Sequence, residues 1–246
     1  MWSLLAEKPQ IQRSANCYLV LGCKSWNRDI FDEISGKAEG SWHYIGDPTQ
    51  LSVELVRQLR PRYLFFLHWS WKVPREICEE FECVCFHMTD VPYGRGGSPL
   101  QNLILRGHLE TKLSALRMVP QFDAGPVYLK EPLSLKGSAE SIYRRAAELS
   151  GIMMERIMRE EPLPVPQIGE VVNFKRRQPQ ESRIGAPQSS RELFDFIRML
   201  DAEGYPRAFL EYQGFRFEFS GAGMSAGRID ANVKITPVVH TGGGNE

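Results

Sequence analysis

The sequence has no net charge: 30 Lys+Arg balance 30 Asp+Glu over 246 residues. A neutral chain lacks the positive field that neutralises phosphates, which disfavours broad nucleic-acid binding while leaving room for a local basic patch. The five cysteines, Cys17, Cys23, Cys78, Cys83 and Cys85, form no CxxC pair and no zinc spacing, and several sit in apolar runs. They read as reduced core residues of a cytoplasmic protein, and no metal site is expected. No apolar run reaches the length of a bilayer span, so no membrane contact is expected. The start, Met1-Trp-Ser-Leu-Leu-Ala-Glu-Lys8, lacks the n-region and h-region of a signal peptide. Gly22 closes the first apolar run without a GxGxxG behind it, so the dinucleotide fingerprint is also missing.

What is present is an alternation of short apolar runs with helical patterns. Cys17–Gly22, 41–45, 63–67 and 81–86 read as strands, the third a continuous apolar run of the kind buried on both faces of a sheet. Helical spacing falls over 28–34, from Thr49 to Leu59, and over 75–81. Strands alternating with helices of this length predict βαβ units and an α/β fold with a doubly wound, mostly parallel sheet. Further on, 111–119 and 127–129 read as strands, and a long amphipathic helix runs from Ser138 to about Arg159. The proline-rich Glu161-Pro-Leu-Pro-Val-Pro166 is a linker signal. A helix capped by Ser190 and a hairpin over 208–212 and 215–219 form a small second α+β unit, to which 233–237 can add a strand. The expected divisions are 1–165, a linker over 166–190, a helix plus hairpin over 191–237, and a flexible tail over 238–246.

The chemistry concentrates between Cys85 and Gln101. His87 ends a buried run and precedes a loop with Pro92, Gly94, Arg95, Gly96, Gly97 and Pro99, where open α/β sheets place reactive groups. Taken alone, His87 reads as a core histidine bonded to backbone. The small residues of the loop, which allow close backbone approach, and Asp123 in the turn Phe122-Asp-Ala-Gly-Pro126 add a second reading. A histidine oriented by a carboxylate is a general base with a defined tautomer. Trp69, Ser70 and Trp71 follow the third strand and offer aromatic faces for a flat heterocycle, or else core packing. Arg95 suits a carboxylate or phosphate, or a surface salt bridge.

The pattern of Cys85, His87, Thr89, Pro92, Arg95, Gly96 and Pro99, followed by Asp123 and Gly125, resembles the folate-dependent formyltransferases. Their loop reads approximately Asn-x-His-x-Ser-Leu-Leu-Pro-x-x-Arg-Gly-x-x-Pro, with a later Asp-x-Gly. Lys175-Arg-Arg177 and the stretch from Phe196 through Tyr205-Pro206 to Phe209 extend the resemblance to roughly residues 17–237. The resemblance implies a Rossmann-like domain that binds N10-formyltetrahydrofolate, with His87 as acid/base for an attacking amine and Asp123 as its partner. It places the folate among Trp69, Ser70, Arg95, Gly96, Gly97 and Gly125. Cys85 stands where the family pattern has asparagine. A thiol is a weak donor, so the oxyanion donor is another group, the reaction differs, or the protein is a catalytically weak folate- or nucleotide-binding module. Thr89, Ser98 and Gln101 are the substitute donors by proximity in sequence.

Within the resemblance, the short C-terminal unit and neutral charge disfavour a tRNA acceptor and point to the sugar N-formylating branch. The expected acceptor is a small amine on a nucleotide-linked sugar, with Thr89 and Gln101 at the substrate and Lys175 available for phosphate. A hydroxyornithine-type amine and methionyl-tRNA are the alternatives. The apolar face of the hairpin packs on the main domain or on a second subunit, giving a homodimer in the latter case.

Overall fold

A computed structural model describes residues 16–238. β1 (Cys17–Gly22) is buried along its whole length and pairs in parallel with β2 (Ser41–Ile45) on one side and β3 (Tyr63–Leu67) on the other. β3 pairs in parallel with β4 (Cys83–His87), which pairs antiparallel with β6 (Glu110–Arg117). With β7 (Val127–Ser134) the six-stranded order is β2-β1-β3-β4-β6-β7. The fold is α/β with a mostly parallel, Rossmann-like sheet. The chain reverses its winding between β1 and β3, so the strand ends at Gly22 and Leu67 flank the topological switch point, the usual ligand crevice of such sheets.

Helices α1 (Ser25–Ser35), α2 (Val53–Leu59) and α3 (Arg75–Glu80) connect the parallel strands. The helix expected from Thr49 is split. Asp47 caps a 3-10 turn over Pro48–Gln50, and the side chain of Ser52 then accepts from the Leu55 N–H to start α2. Proline at the first position favours the turn, and the better-placed serine captures the orphan donors of the longer helix. Leu19, Leu21, Leu64, Phe66, Ile77 and Phe81 form a core cluster, and Cys85 packs at its margin.

Two compact units emerge. Among the described residues, the first holds 16–96, Thr111–Leu133 and Arg144–Asn173. The second holds Gly97–Glu110, Ser134–Tyr143 and 174–238. In the second, α4 (Pro99–Leu105) packs on α6 (Ser190–Arg198), which packs on β10 (Phe215–Ser225). The expected hairpin, β9 (Ala208–Tyr212) with β10, is part of a three-stranded antiparallel sheet in which β10 is the middle strand, because β10 runs six residues further than its alternating aromatics and pairs with β11 (Arg228–Pro237) on its other side. The cap of α6 is Ser189 rather than Ser190, its hydroxyl accepting from the Glu192 N–H. The stretch read as linker also contains β8 (Val172–Phe174), which pairs with β5 (Tyr93–Gly96). α5 (Ala139–Glu160) is the long amphipathic helix. The tail expected over 238–246 lies, beyond Val238, outside the described residues, as does the Met1–Lys8 start. No helix among the described residues is long and apolar enough to cross a membrane.

His68, just after β3, adopts φ +49. Burial lowers its pKa from 6.5 to about 4, with the Lys24 charge adding to the shift. Between those values the unfolded chain binds a proton that the folded chain refuses. This contribution to stability is therefore fully present above pH 6.5 and is lost as pH falls toward about 4. The maximum slope from one group is about 1.4 kcal/mol per pH unit. His68→Asn keeps a residue type that tolerates left-handed backbone. In urea unfolding it should flatten the acid loss of stability relative to wild type; identical slopes would contradict this assignment.

Candidate active site

Alternation along β4 puts Cys83, Cys85 and His87 on one face. Cys85 is opposite Phe66 on β3 and Leu116 on β6, and His87 is opposite Ser114. His87 is buried, and its Nε2 lies 2.8 Å from the Gly94 carbonyl. Gly94 reaches this position with φ +78, a conformation that glycine adopts without strain. A carbonyl can only accept, so Nε2 carries the proton and, in the neutral ring, Nδ1 keeps its lone pair. Thr89 Oγ1 donates to the same carbonyl at 3.3 Å, and Ser114 Oγ donates to the Thr89 carbonyl at 2.7 Å.

Nδ1 faces Asp123, 3.4 Å from Oδ1. That is ion-pair range, longer than the roughly 2.8 Å of a tight charge-assisted bond. The other carboxylate oxygen accepts the Gly96 N–H at 2.8 Å. Asp123 sits at φ +52 in the turn between β6 and β7. The turn is pressed against β6 through Gly125, where a Cβ would lie 1.7 Å from the Arg117 carbonyl oxygen. Gly125→Ala must displace that backbone and should cost about 3 kcal/mol, at the upper end for overpacking. Urea unfolding measures this, and a loss below about 1 kcal/mol would mean that the turn is not held against β6.

The Arg95 guanidinium donates from Nε and Nη2 to Gln167 Oε1, at 3.0 and 2.7 Å. Gln167 Nε2 donates to the carbonyls of Asp123 and Gly125, at 2.7 and 2.8 Å. Gln167 lies in the stretch read as linker, and its sequence context carries no signal of this contact.

The thiol pKa of Cys85 is pushed far up by burial and by the Asp123 charge, so it stays S–H at neutral pH. A nucleophilic thiolate is thereby disfavoured. Trp69 packs edge-on to Phe66 and Trp71, and its buried Nε1 donor has no partner among the described residues. Ser70 is exposed. Among the described residues no group of His, Cys, Asp and Glu has a metal-binding arrangement. A surface cavity of about 560 Å³ on the first unit, lined by Tyr18, Lys37, Glu155 and Arg159, contains none of these residues.

The first unit thus joins His87, Thr89, Arg95, Gly96, Asp123 and Gly125 in one bonded cluster. Three other expected site residues lie in the second unit. A Cβ on Gly97 would fall 2.4 Å from Arg176 Cβ, so its bareness serves packing. Gln101 is buried and donates to Tyr143 Oη at 3.0 Å and to the Met199 carbonyl at 3.1 Å. Lys175 is exposed, its carbonyl accepting from Asn102 Nδ2 at 3.0 Å.

The chain is 42% identical to a solved structure, methionyl-tRNA formyltransferase from Clostridium thermocellum, with a TM-score of 0.88 over 90% of this chain and 99% of that one. The chain belongs to the formyltransferase family. A family model described as methionyl-tRNA formyltransferase, C-terminal domain, matches residues 179–236. The methionyl-tRNA formyltransferase of Gluconobacter oxydans (strain 621H) is 32% identical over 130 residues, which are 52% of this chain and 42% of that protein. This chain spans about half the length of the curated relatives it matches. The fold also recurs in HypX from Aquifex aeolicus, solved in complex with tetrahydrofolic acid, at 17% identity and TM-score 0.70 over 85% of this chain and 38% of that one.

Proposed function

We propose that this chain transfers a formyl group from N10-formyltetrahydrofolate to a primary amine, on a nucleotide-linked amino sugar. The observation that carries the reading is the His87–Asp123 pair, with the basic nitrogen of His87 turned toward the carboxylate. The unpartnered Trp69 indole N–H fits a folate ring, whose heteroatoms accept hydrogen bonds. When bound, the folate supplies an activated formyl carbon. His87 Nδ1 takes the proton from the attacking amine nitrogen and returns it to the departing nitrogen, so no net proton is released. Asp123 balances the imidazolium charge in between, held by the Gly96 N–H. As a division of roles we propose catalysis in 1–165, a linker over 166–190 and a small C-terminal part over 191–237; these segments differ from the two compact units, in which 97–110 and 134–143 group with the C-terminal residues and 166–173 with the first unit.

Cys85 is the weak position. Its protonated thiol is a poor donor, and the Thr89 hydroxyl and the Gln101 amide are both bonded elsewhere. Cys85→Asn should therefore raise kcat, by up to about 10²–10³-fold, the worth of one oxyanion donor. An unchanged kcat would assign the donor to another group.

For the acceptor, charge supports a small molecule. Residues 174–238 carry ten Lys+Arg against eight Asp+Glu. Arg191, Arg198, Arg207, Arg216 and Arg228 are all engaged in ion pairs, which leaves a weak field for a polyanion. Methionyl-tRNA is the second reading, favoured by the match along 99% of the Clostridium thermocellum chain. Tetrahydrofolate release in a panel of aminosugar nucleotides and charged methionyl-tRNA separates the two. Turnover with an aminosugar nucleotide alone supports the first reading, and turnover with the tRNA alone overturns it.

A further inference from the structure

We infer that Gln167 is a positioning residue that holds Asp123 in register with His87, an inference that rests on the formyl-transfer reading. Between Val165 and Val171 it is the only residue that is not exposed. Its amide has one oxygen with two lone pairs and two N–H donors. All four are used: the oxygen takes both Arg95 bonds, and the nitrogen reaches the carbonyls of Asp123 and Gly125. Arginine can only donate and carbonyls can only accept, so the amide has one orientation. The residue is 72 positions from Arg95 and 44 from Asp123, so it clamps two loops that neither neighbours in sequence.

The clamp matters because Asp123 is held at φ +52. A residue other than glycine keeps a sparsely populated backbone region only where the surroundings enforce it. On one side the turn is fixed by the Arg117 N–H donating to the Pro126 carbonyl at 2.9 Å. On the other side Gln167 fixes the carbonyls of Asp123 and Gly125. Without it, the turn can relax toward ordinary φ and carry the carboxylate away from Nδ1. Arg95, in turn, keeps the Gln167 oxygen engaged from the strand whose Gly96 N–H binds the same carboxylate.

The test uses the full chain with Gln167→Ala and Gln167→Glu. Glutamate keeps the side-chain length and the Arg95 pairing but sets an acceptor against two carbonyls, so it separates the clamp on the turn from general stability. Both variants should lose about 10–100-fold in kcat, as remote misplacement of a reacting group does. KM for donor and acceptor should stay within about twofold, since ground-state binding is not the lesion. Gln167→Glu should also keep a Tm near wild type. A second readout needs no activity: the Gly96 amide proton, hydrogen-bonded to the carboxylate, should move upfield in the NMR spectrum of Gln167→Glu. Wild-type kcat in Gln167→Glu, a loss confined to KM, or an unmoved Gly96 amide would overturn the inference. His87→Ala assayed in parallel keeps the two ideas apart. Absence of formyl transfer in wild type itself counts against the function, while the Gly96 shift still judges the clamp.

Discussion

Formyl transfer by His87→Ala should fall about 10²–10⁴-fold in kcat, the range contributed by one positioned acid/base. The ring is fixed at both ends. Nε2–H is committed to the Gly94 carbonyl, so the only basic site is Nδ1, beside Asp123. Alanine removes the proton acceptor and leaves the Gly94 carbonyl without its donor from the ring. The Thr89 hydroxyl still donates to that carbonyl, so the loop keeps one of its two ties. The loss should therefore appear in kcat, with KM for the folate changed by less than about threefold. Calorimetric binding of tetrahydrofolate to the variant separates lost chemistry from a collapsed loop. Wild-type kcat in His87→Ala would remove His87 from the reaction, whatever the family pattern.

Asp123→Asn should cost a comparable factor, about 10²–10⁴, because it attacks the same tautomer from the other side. An asparagine can keep its oxygen on the Gly96 N–H, which preserves the turn. Its NH₂ then faces Nδ1 and donates to it, occupying the lone pair that the amine proton requires. It also removes the negative charge that would balance an imidazolium. Asp123→Glu serves as the control for charge without position. Its longer side chain at φ +52 should restore only part of the rate. Stopped-flow measurement of tetrahydrofolate formation reads both variants. An Asp123→Asn rate within about threefold of wild type would mean that the carboxylate shapes the loop and does not govern the proton.

Much of the fold is legible in the sequence. Continuous apolar runs such as Tyr-Leu-Phe-Phe-Leu mark buried parallel strands, and β1 and β3 lie over the residues their patterns indicate. His87 and Asp123 are legible as a pair through the family resemblance, His87 standing ahead of the loop 94–97 and Asp123 two residues before Gly125. Residues whose role depends on a distant partner were not visible. Gln101 looks like a site residue by proximity to the loop, yet its amide is consumed by Tyr143 and Met199, far along the chain. Gln167 looks like linker, yet it supports the aspartate turn. Polar side chains carry no periodic signal that distinguishes solvent from a carbonyl 42 residues away. Strand ends were missed for a related reason. β10 continues past its aromatics through Ser220 and a bulge, where pairing with β11 outweighs poor local propensity.

The central claim is that this chain moves a formyl group from folate to an amine nitrogen. The most direct test supplies N10-formyltetrahydrofolate labelled with carbon-13 at the formyl carbon, in a single turnover, with and without the aminosugar nucleotides. Carbon-13 NMR should show the label as a new formamide only when amine is present, in stoichiometry with tetrahydrofolate, and the signal should vanish in His87→Ala. Label released as formate irrespective of amine, or retained on the folate with every amine, would contradict the account.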